Sequence, residues 1–322
     1  MTSTRISIAL CTYNGATYLQ EQLQSFLAQS HRPYELVVCD DQSTDATAEL
    51  IRAFASEAAF PVRLFINQDR LGSRLNFASA IGLCSGDIIA LSDQDDVWRG
   101  DKLEKISQAF VDDSVTAVFS DAEVTDASLQ SLGYSMWQGL KFDAHAVQYM
   151  QAGAGFELLL KRFLVMGASM AFRASLREMI LPIPPTWHHD AWIALLAAAC
   201  GNIVPIDECL LHYRQHGNNQ IGGRKKSLLS QIHNALQLDR EAYLRDELAL
   251  WTTLQQRLPR SGQVSPEHLS GIDDKCAHLQ RRMGFPKPRW RRLPSIAAEL
   301  HSGAYARYAR NWGSVALDVL MK

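Results

Sequence analysis

Hydrophobic positions in the first half of the chain come in two alternating rhythms. Short, mainly apolar runs occur at Ile6–Cys11, Leu36–Cys39, Val62–Ile66, Ile88–Leu91 and Val115–Phe119. Runs of this length without polar alternation predict strands buried on both faces. Between them the period changes to that of a helix. Leu19, Leu23, Phe26 and Leu27 share one helical face within 16–30. Ser43 or Thr44 is placed to cap a helix running to about Ala58, and Asn76–Cys84 predicts another that ends before Gly86. Strand and helix in alternation predict a parallel sheet covered by helices. In such sheets ligands bind beyond the carboxyl ends of the strands. The residues there are Thr12 and Tyr13, Asp40 and Asp41, and Asp93 to Asp96.

The later pattern is less regular. Phe163–Phe172 is apolar, and Pro182, Pro184 and Pro185 interrupt the chain before Trp187-His188-His189-Asp190. A fully apolar helix follows to Cys200, then a polar and aromatic cluster over 212–219. An amphipathic helical pattern runs from Lys225 to about Leu258, with further helical stretches beyond it. No internal repeat or low-complexity tract is present.

Composition narrows the class. The 322 residues are 47% hydrophobic, enough for a sizeable core, and the formal net charge of −2 provides no general field for nucleic acid. The six cysteines form no Cys-x-x-Cys pair, and the N-terminus carries no signal-peptide pattern. Together these predict a protein of a reducing, cytoplasmic setting. The apolar run at 192–200 is too short to span a bilayer.

Four clusters carry candidate chemistry, each with a plainer alternative. Asp93, Asp95 and Asp96 crowd the end of an apolar strand, where mutual repulsion favours a bound Mg2+ or Mn2+. The alternative is a solvated acidic turn that caps a helix. Asp40 and Asp41 suit a base N–H or a ribose hydroxyl, or else the N-cap of the next helix. Asp190, between Trp187 and Trp192, suits a general base in an apolar pocket, or again a cap. Arg214 suits a diphosphate and His216 a metal or phosphate, or both belong to a polar loop.

Taken in order, these segments resemble family 2 glycosyltransferases with the GT-A fold. The resemblance rests on Ser7-Ile8-Ala9-Leu10-Cys11-Thr12-Tyr13-Asn14-Gly15, on Glu35 to Asp45, and above all on Ala90-Leu91-Ser92-Asp93-Gln94-Asp95-Asp96-Val97-Trp98 with Lys102-Leu103. Gly167 to Arg173, His189-Asp190 and Tyr213 to Asn219 follow in the expected order. The Gln-Asp-Asp-Val-Trp and Tyr-Arg-Gln-His-Gly-Asn-Asn forms are similar to the rhamnosyltransferase-like branch.

The resemblance implies a Rossmann-like, mostly parallel sheet in residues 1–222, with a nucleotide-sugar half (1–98), an acceptor half (99–222), and a helical C-terminal region (223–322). It implies that Thr12, Tyr13 and Asp41 contact the base, with Asp40 nearby, and that Asp93 lies by the ribose or metal. Asp95 becomes the main metal ligand and Asp190 the catalytic base. His216 and Arg214 approach metal and diphosphate, Arg74 reaches phosphate, and Asp96 is left between metal and structural roles. The implied donor is dTDP-L-rhamnose or a UDP-hexose. The implied acceptor is a cell-surface polysaccharide or lipid-linked glycan, reached through inverting transfer. A transfer-inactive nucleotide-sugar-binding protein and a nucleotidyltransferase are the competing classes. A dinucleotide-dependent oxidoreductase is disfavoured, since no Gly-x-Gly-x-x-Gly follows the first strand.

The basic stretch of Arg281-Arg282 and Lys287-Pro288-Arg289-Trp290-Arg291-Arg292 has two readings. One is peripheral contact with an anionic membrane. The other is a solvated face, or arginines paired with acids elsewhere. Its prolines oppose a continuous amphipathic helix.

Overall fold

The computed structural model describes residues 4–216, 239–258 and 264–321. Gly217 to Asn219 of the polar cluster and the first part of the 225–258 helical pattern lie outside them. The described residues fall into two compact units: those within 1–155 and 164–222 form one, and those within 156–163 and 223–322 the other.

The first unit is built on a nine-stranded sheet, ordered β3-β2-β1-β4-β8-β6-β9-β5 with β7 paired to β6. Strands β1 (Ile6–Thr12), β2 (Glu35–Asp40), β3 (Val62–Ile66) and β4 (Ile88–Ser92) are mutually parallel, as the apolar runs predict. Every residue of β1, β2 and β4 is buried, because helices cover both faces. The remainder is mixed rather than mostly parallel. Strand β8 (Met170–Arg173) runs antiparallel between β4 and β6 (Val115–Thr125). Strand β9 (Asn202–Arg214) is parallel to β6, and β5 (Val97–Trp98) is antiparallel to β9. β6 continues past the predicted Phe119 and forms an antiparallel pair with β7 (Ser131–Ser135).

Helix α1 (Leu19–Leu27) buries Leu19, Leu23 and Phe26 in the core around Ile8, Leu10 and Leu36. Each such side chain contributes about 1.5–3 kcal/mol. Leu27 does not join them and is exposed. One residue beyond Phe26, it is turned about 100° around the helix.

Helix α2 (Thr47–Glu57) begins later than expected, because the candidate caps are used elsewhere. Ser43 donates to Asp40 and accepts from the Asn14 N–H, while Thr44 N–H donates to Asn14 Oδ1. Asp45 accepts from the N–H groups of Thr47 and Ala16. The 43–47 turn is therefore tied to the loop after β1.

At the opposite end of these strands, buried Glu35 accepts from Ser7 Oγ (2.7 Å), Ser85 N (2.6 Å), Ser85 Oγ (2.9 Å) and Arg63 Nη2 (2.6 Å). Burial pushes its pKa up, but these bonds together outweigh it and hold the carboxyl below its ordinary value. Its stabilisation is therefore complete above about pH 4.3 and is lost as pH falls through the lower folded value. Glu35→Gln is expected to cost about 1–3 kcal/mol at neutral pH. It should also flatten the acid limb of stability, measured by urea unfolding across pH.

The second unit is helical, with α-helices at Arg240–Arg257, Pro266–Met283, Leu293–His301, Ala304–Tyr308 and Trp312–Leu320. Its polar interior is paired: Asp318 accepts from Arg240, Arg282 and Tyr305. The segment from 156 to 163 belongs to this unit. Lys275 Nζ donates to Leu160 O (2.6 Å) and Tyr308 O (2.8 Å), and Phe156 packs on His268 at 4.2 Å. Among the described residues no helix is long and apolar enough to cross a membrane.

Candidate active site

The carboxyl ends of β1, β2 and β4 carry the expected residues, but their side chains fall into two groups. Those after β1 and β2 mostly shape the turns. Thr12 lies opposite Asp40 in the sheet and donates to it at 2.7 Å. Asp40 is buried and also accepts from Ser43 N. Asp41 is buried and accepts from Asn67 Nδ2 (2.9 Å), Leu71 N (2.7 Å) and Gly72 N (2.8 Å), which fixes the loop after β3. Tyr13 is left partly exposed, with the Arg70 guanidinium 3.9 Å from its ring centre. Gln94 holds the Tyr13 backbone from both sides, its Oε1 accepting from Tyr13 N and its Nε2 donating to Tyr13 O. Gly15 leaves room for this, since a Cβ there would lie 2.2 Å from Gln94 Oε1.

The second group forms an acidic centre. Asp93, Asp95 and Asp96 follow β4 directly. Burial, then the charges of Asp95 and Asp190, push Asp93 up to about 7 against the opposing pull of Lys102. Asp96 is fully buried and is driven well above the carboxylate range, first by burial and then by Asp95 and Asp93. Lys102 is their buried counter-cation. Burial lowers its pKa to about 7 while Asp96 and Asp93 hold it up. Its Nζ donates to Ala168 O at 2.8 Å and sits 4.0 Å from the Trp98 ring centre.

The pairing of β5 with β9 brings the distant polar cluster to this centre. Val97 lies opposite His212, so the chain running on from β9 reaches the carboxylates. His216 Nε2 is 2.8 Å from Asp95 Oδ2, and its ring stacks on Tyr18 at 4.7 Å. Arg214 is buried. It donates to Asp95 O (2.9 Å) and Ala127 O (2.6 Å), pairs with Glu21, and lies over Tyr18. Its guanidinium thus braces the backbone of the acidic loop.

Asp190 stands in the first turn of the helix His189–Cys200, half-buried, with Oδ1 accepting from Ala191 N (2.7 Å). Trp187 and Trp192 are buried and pack on each other, and Trp192 donates to Ile180 O. They anchor the helix in the core. His189 stacks on Phe77 at 4.1 Å, and burial lowers its pKa. Gly167 admits this helix start, because a Cβ there would stand 2.7 Å from His189 Nε2. Arg74 donates to Ile183 O and so ties its own helix to the segment before Asp190.

The residues fit a divalent cation. Asp95 and Asp190 both repel Asp93, and Asp96 Oδ2 has no hydrogen-bond partner among the described residues. The 2.8 Å between Asp95 and His216 is close to the ~3 Å expected of neighbouring ligands about 2.1 Å from Mg2+. Among the described residues no group of three or more His, Cys, Asp or Glu side chains is placed to hold a metal ion, so the protein's share is the Asp95–His216 pair. Substrate oxygens and water would supply the rest of the shell, as Mg2+ and Mn2+ commonly require.

Lys102, Gln94 and Tyr18 complete the site but were not among the residues expected from sequence. From sequence, Lys102 and Gln94 stand only as members of the motifs that carry the resemblance, with no role of their own. Tyr18 carries no local signal.

A mixed sheet with acidic side chains gathered beyond its parallel strands defines an α/β protein that takes its ligand at the strand ends. The chain belongs to glycosyl transferase family 2, whose family model matches residues 7–179. The uncharacterized glycosyltransferase alr2836 of Nostoc sp. is 29% identical over 219 residues, 67% of this chain and 66% of its own. Abequosyltransferase RfbV of Salmonella typhimurium is 28% identical over 173 residues, covering 53% of this chain and 51% of its own. The Escherichia coli UDP-Glc:alpha-D-GlcNAc-diphosphoundecaprenol beta-1,3-glucosyltransferase WfgD is 28% identical over 119 residues, 37% of this chain and 46% of its own. The matches thus span about half to two thirds of these relatives' lengths.

In fold, the chain is similar to the mannosyltransferase PcManGT from Pyrobaculum calidifontis in complex with GDP-Man and Mn2+. The TM-score is 0.55 at 18% identity, over 99% of this chain and 86% of that one. It is also similar to S. aureus TarS 1-349 in complex with UDP-GlcNAc, with a TM-score of 0.52 at 14% identity over 94% and 89%. The fold is the expected GT-A type, with a helical C-terminal region.

Proposed function

We propose that this chain is an inverting, metal-dependent glycosyltransferase. It moves a sugar from a nucleoside diphosphate to a hydroxyl of a growing polysaccharide or lipid-linked glycan. The observation that carries this reading is the acidic centre itself: Asp93 feels the charge of Asp190, while Asp95 meets His216 at 2.8 Å. A base and a cation-binding pair then serve one reaction.

Asp95 and His216 would hold the divalent cation, with donor oxygens and water completing its shell. When bound, that cation offsets the charge that grows on the leaving diphosphate. Asp190 takes the acceptor proton on Oδ2 while Ala191 N–H steadies Oδ1. The deprotonating hydroxyl attacks the anomeric carbon from the face opposite the diphosphate. The C–O bond to the diphosphate breaks in the same step, which inverts the configuration without a sugar–enzyme bond. Tyr13, with Arg70 over its ring, offers the open surface for the base. Asp40 and Asp41 hold the two loops that frame it.

Two donor chemistries enter the test. The rhamnosyltransferase-like motifs favour dTDP-L-rhamnose, and WfgD is named for UDP-Glc. Calorimetry with dTDP-L-rhamnose, UDP-glucose, UDP-N-acetylglucosamine and GDP-mannose is expected to find one donor whose binding needs Mn2+ or Mg2+ and is lost with chelator. Binding of none by folded protein would reject the reading. Binding without nucleoside diphosphate release on any candidate acceptor would favour the transfer-inactive class.

A further inference from the structure

The basic stretch of the second unit separates, in three dimensions, into two kinds of arginine. Arg281 pairs with Glu299, and Arg282 pairs with Asp318 in the interior. Arg292 is buried and donates to four carbonyls: Pro286 O (2.9 Å), Lys287 O (2.7 Å), Asp318 O (2.9 Å) and Met321 O (2.9 Å). It is an internal staple that sets the shape of the turn from Pro286 to Arg292. The alternative of arginines paired with acids elsewhere is thus realised at Arg281 and Arg282, while Arg292 is held by backbone carbonyls.

The rest of the turn faces outward. Pro286 through Arg291 are all exposed, and the stretch 286–293 contains no acidic residue. Among the described residues no ion pair holds Lys287, Arg289 or Arg291. Between these cations stands Trp290, 68% exposed, with the Arg291 guanidinium 4.8 Å from its ring centre. Leu293, 53% exposed, follows as the first residue of a helix. Exposed Trp and Leu set among three cations with no acidic partner among the described residues, of which Arg289 also donates from Nε to Met321 O (3.3 Å), suit a partner that is both apolar and anionic. A bilayer surface rich in anionic lipid has that chemistry: headgroup charge for the cations and an interfacial zone for the indole. A soluble polyanion would use the charges and leave Trp290 and Leu293 without a partner.

We propose that the Pro286–Leu293 turn is a docking surface for an anionic membrane. The proposal concerns binding alone and is independent of sugar transfer. Sedimentation with phosphatidylglycerol–phosphatidylcholine vesicles, against phosphatidylcholine alone, tests it. Wild type is expected to bind the anionic vesicles, less so at high salt. Removing two cations in Arg289→Glu/Arg291→Glu should weaken partitioning about 30-fold. Trp290→Ser/Leu293→Ser should weaken it at least ~10-fold. Arg245→Glu, at an exposed arginine elsewhere in this unit, should leave it unchanged. All these substitutions are on the surface, so circular dichroism and calorimetric donor affinity should match wild type. Equal binding to both vesicle types, or no loss in the two double variants, would overturn the proposal. So would a loss confined to the charge variant, which would indicate a polyanion site.

Discussion

Asp190→Asn is expected to lower sugar transfer by about 10^2 to 10^4-fold, the usual share of a general base. Donor affinity should stay within about twofold. The amide keeps the shape of the side chain and can still accept from Ala191 N–H through its oxygen. It no longer accepts a proton from the acceptor hydroxyl. The fold should tolerate the change, because the helix is anchored by buried Trp192 and by His189 stacked on Phe77 rather than by this carboxylate. Initial rates at saturating donor, with donor affinity by calorimetry, provide the check. Unchanged turnover would remove Asp190 from catalysis. A joint loss of binding and rate would make it part of the donor site instead.

Asp95→Ala is expected to have the complementary effect. Cation-dependent donor binding should fall at least ~100-fold, and with it the rate, because the variant loses a cation ligand and strands His216 without its carboxylate partner. Binding measured with chelator present should be similar in variant and wild type, since the base surface at Tyr13 is untouched. Wild-type affinity in the presence of Mn2+ would refute the role. Arg214 grips the Asp95 carbonyl rather than its side chain, so the loop itself should hold its course.

The part of the molecule that is local in sequence was legible. Strands β1, β2 and β4 read directly, because burial on both faces leaves mainly apolar runs such as Ile88–Leu91. The strand-end carboxylates followed from them. Contacts that depend on distant pairing were not legible. The meeting of Asp95 with His216, 121 residues away, was expected from the resemblance alone; no local pattern announces it, because it depends on the register of β5 with β9. Lys102 misleads for a related reason. A lysine in the first turn of a helix is ordinarily solvated, and its burial here follows from the acidic centre folded around it. Arg214, from its charge, and Arg74, from the resemblance, were expected at phosphate, and in the structure both guanidiniums also hold backbone carbonyls. The same ambiguity separated Arg292, a staple, from its neighbour Arg291, which points outward.

The eight residues from 156 to 163 have an evolutionary consequence. They lie in the middle of the gene segment that encodes the sugar-transfer unit, yet Leu159 and Leu160 are buried as members of the helical unit. A chain ending near 222 would therefore carry an orphaned apolar strap whose fastening lysine, Lys275, had been deleted. Fusing the tail to another transferase would leave a matching gap. The two units are not separable by one crossover, so recombination would have to exchange both stretches together. Lineages that keep this arrangement should pass the tail on with the catalytic unit rather than trade it.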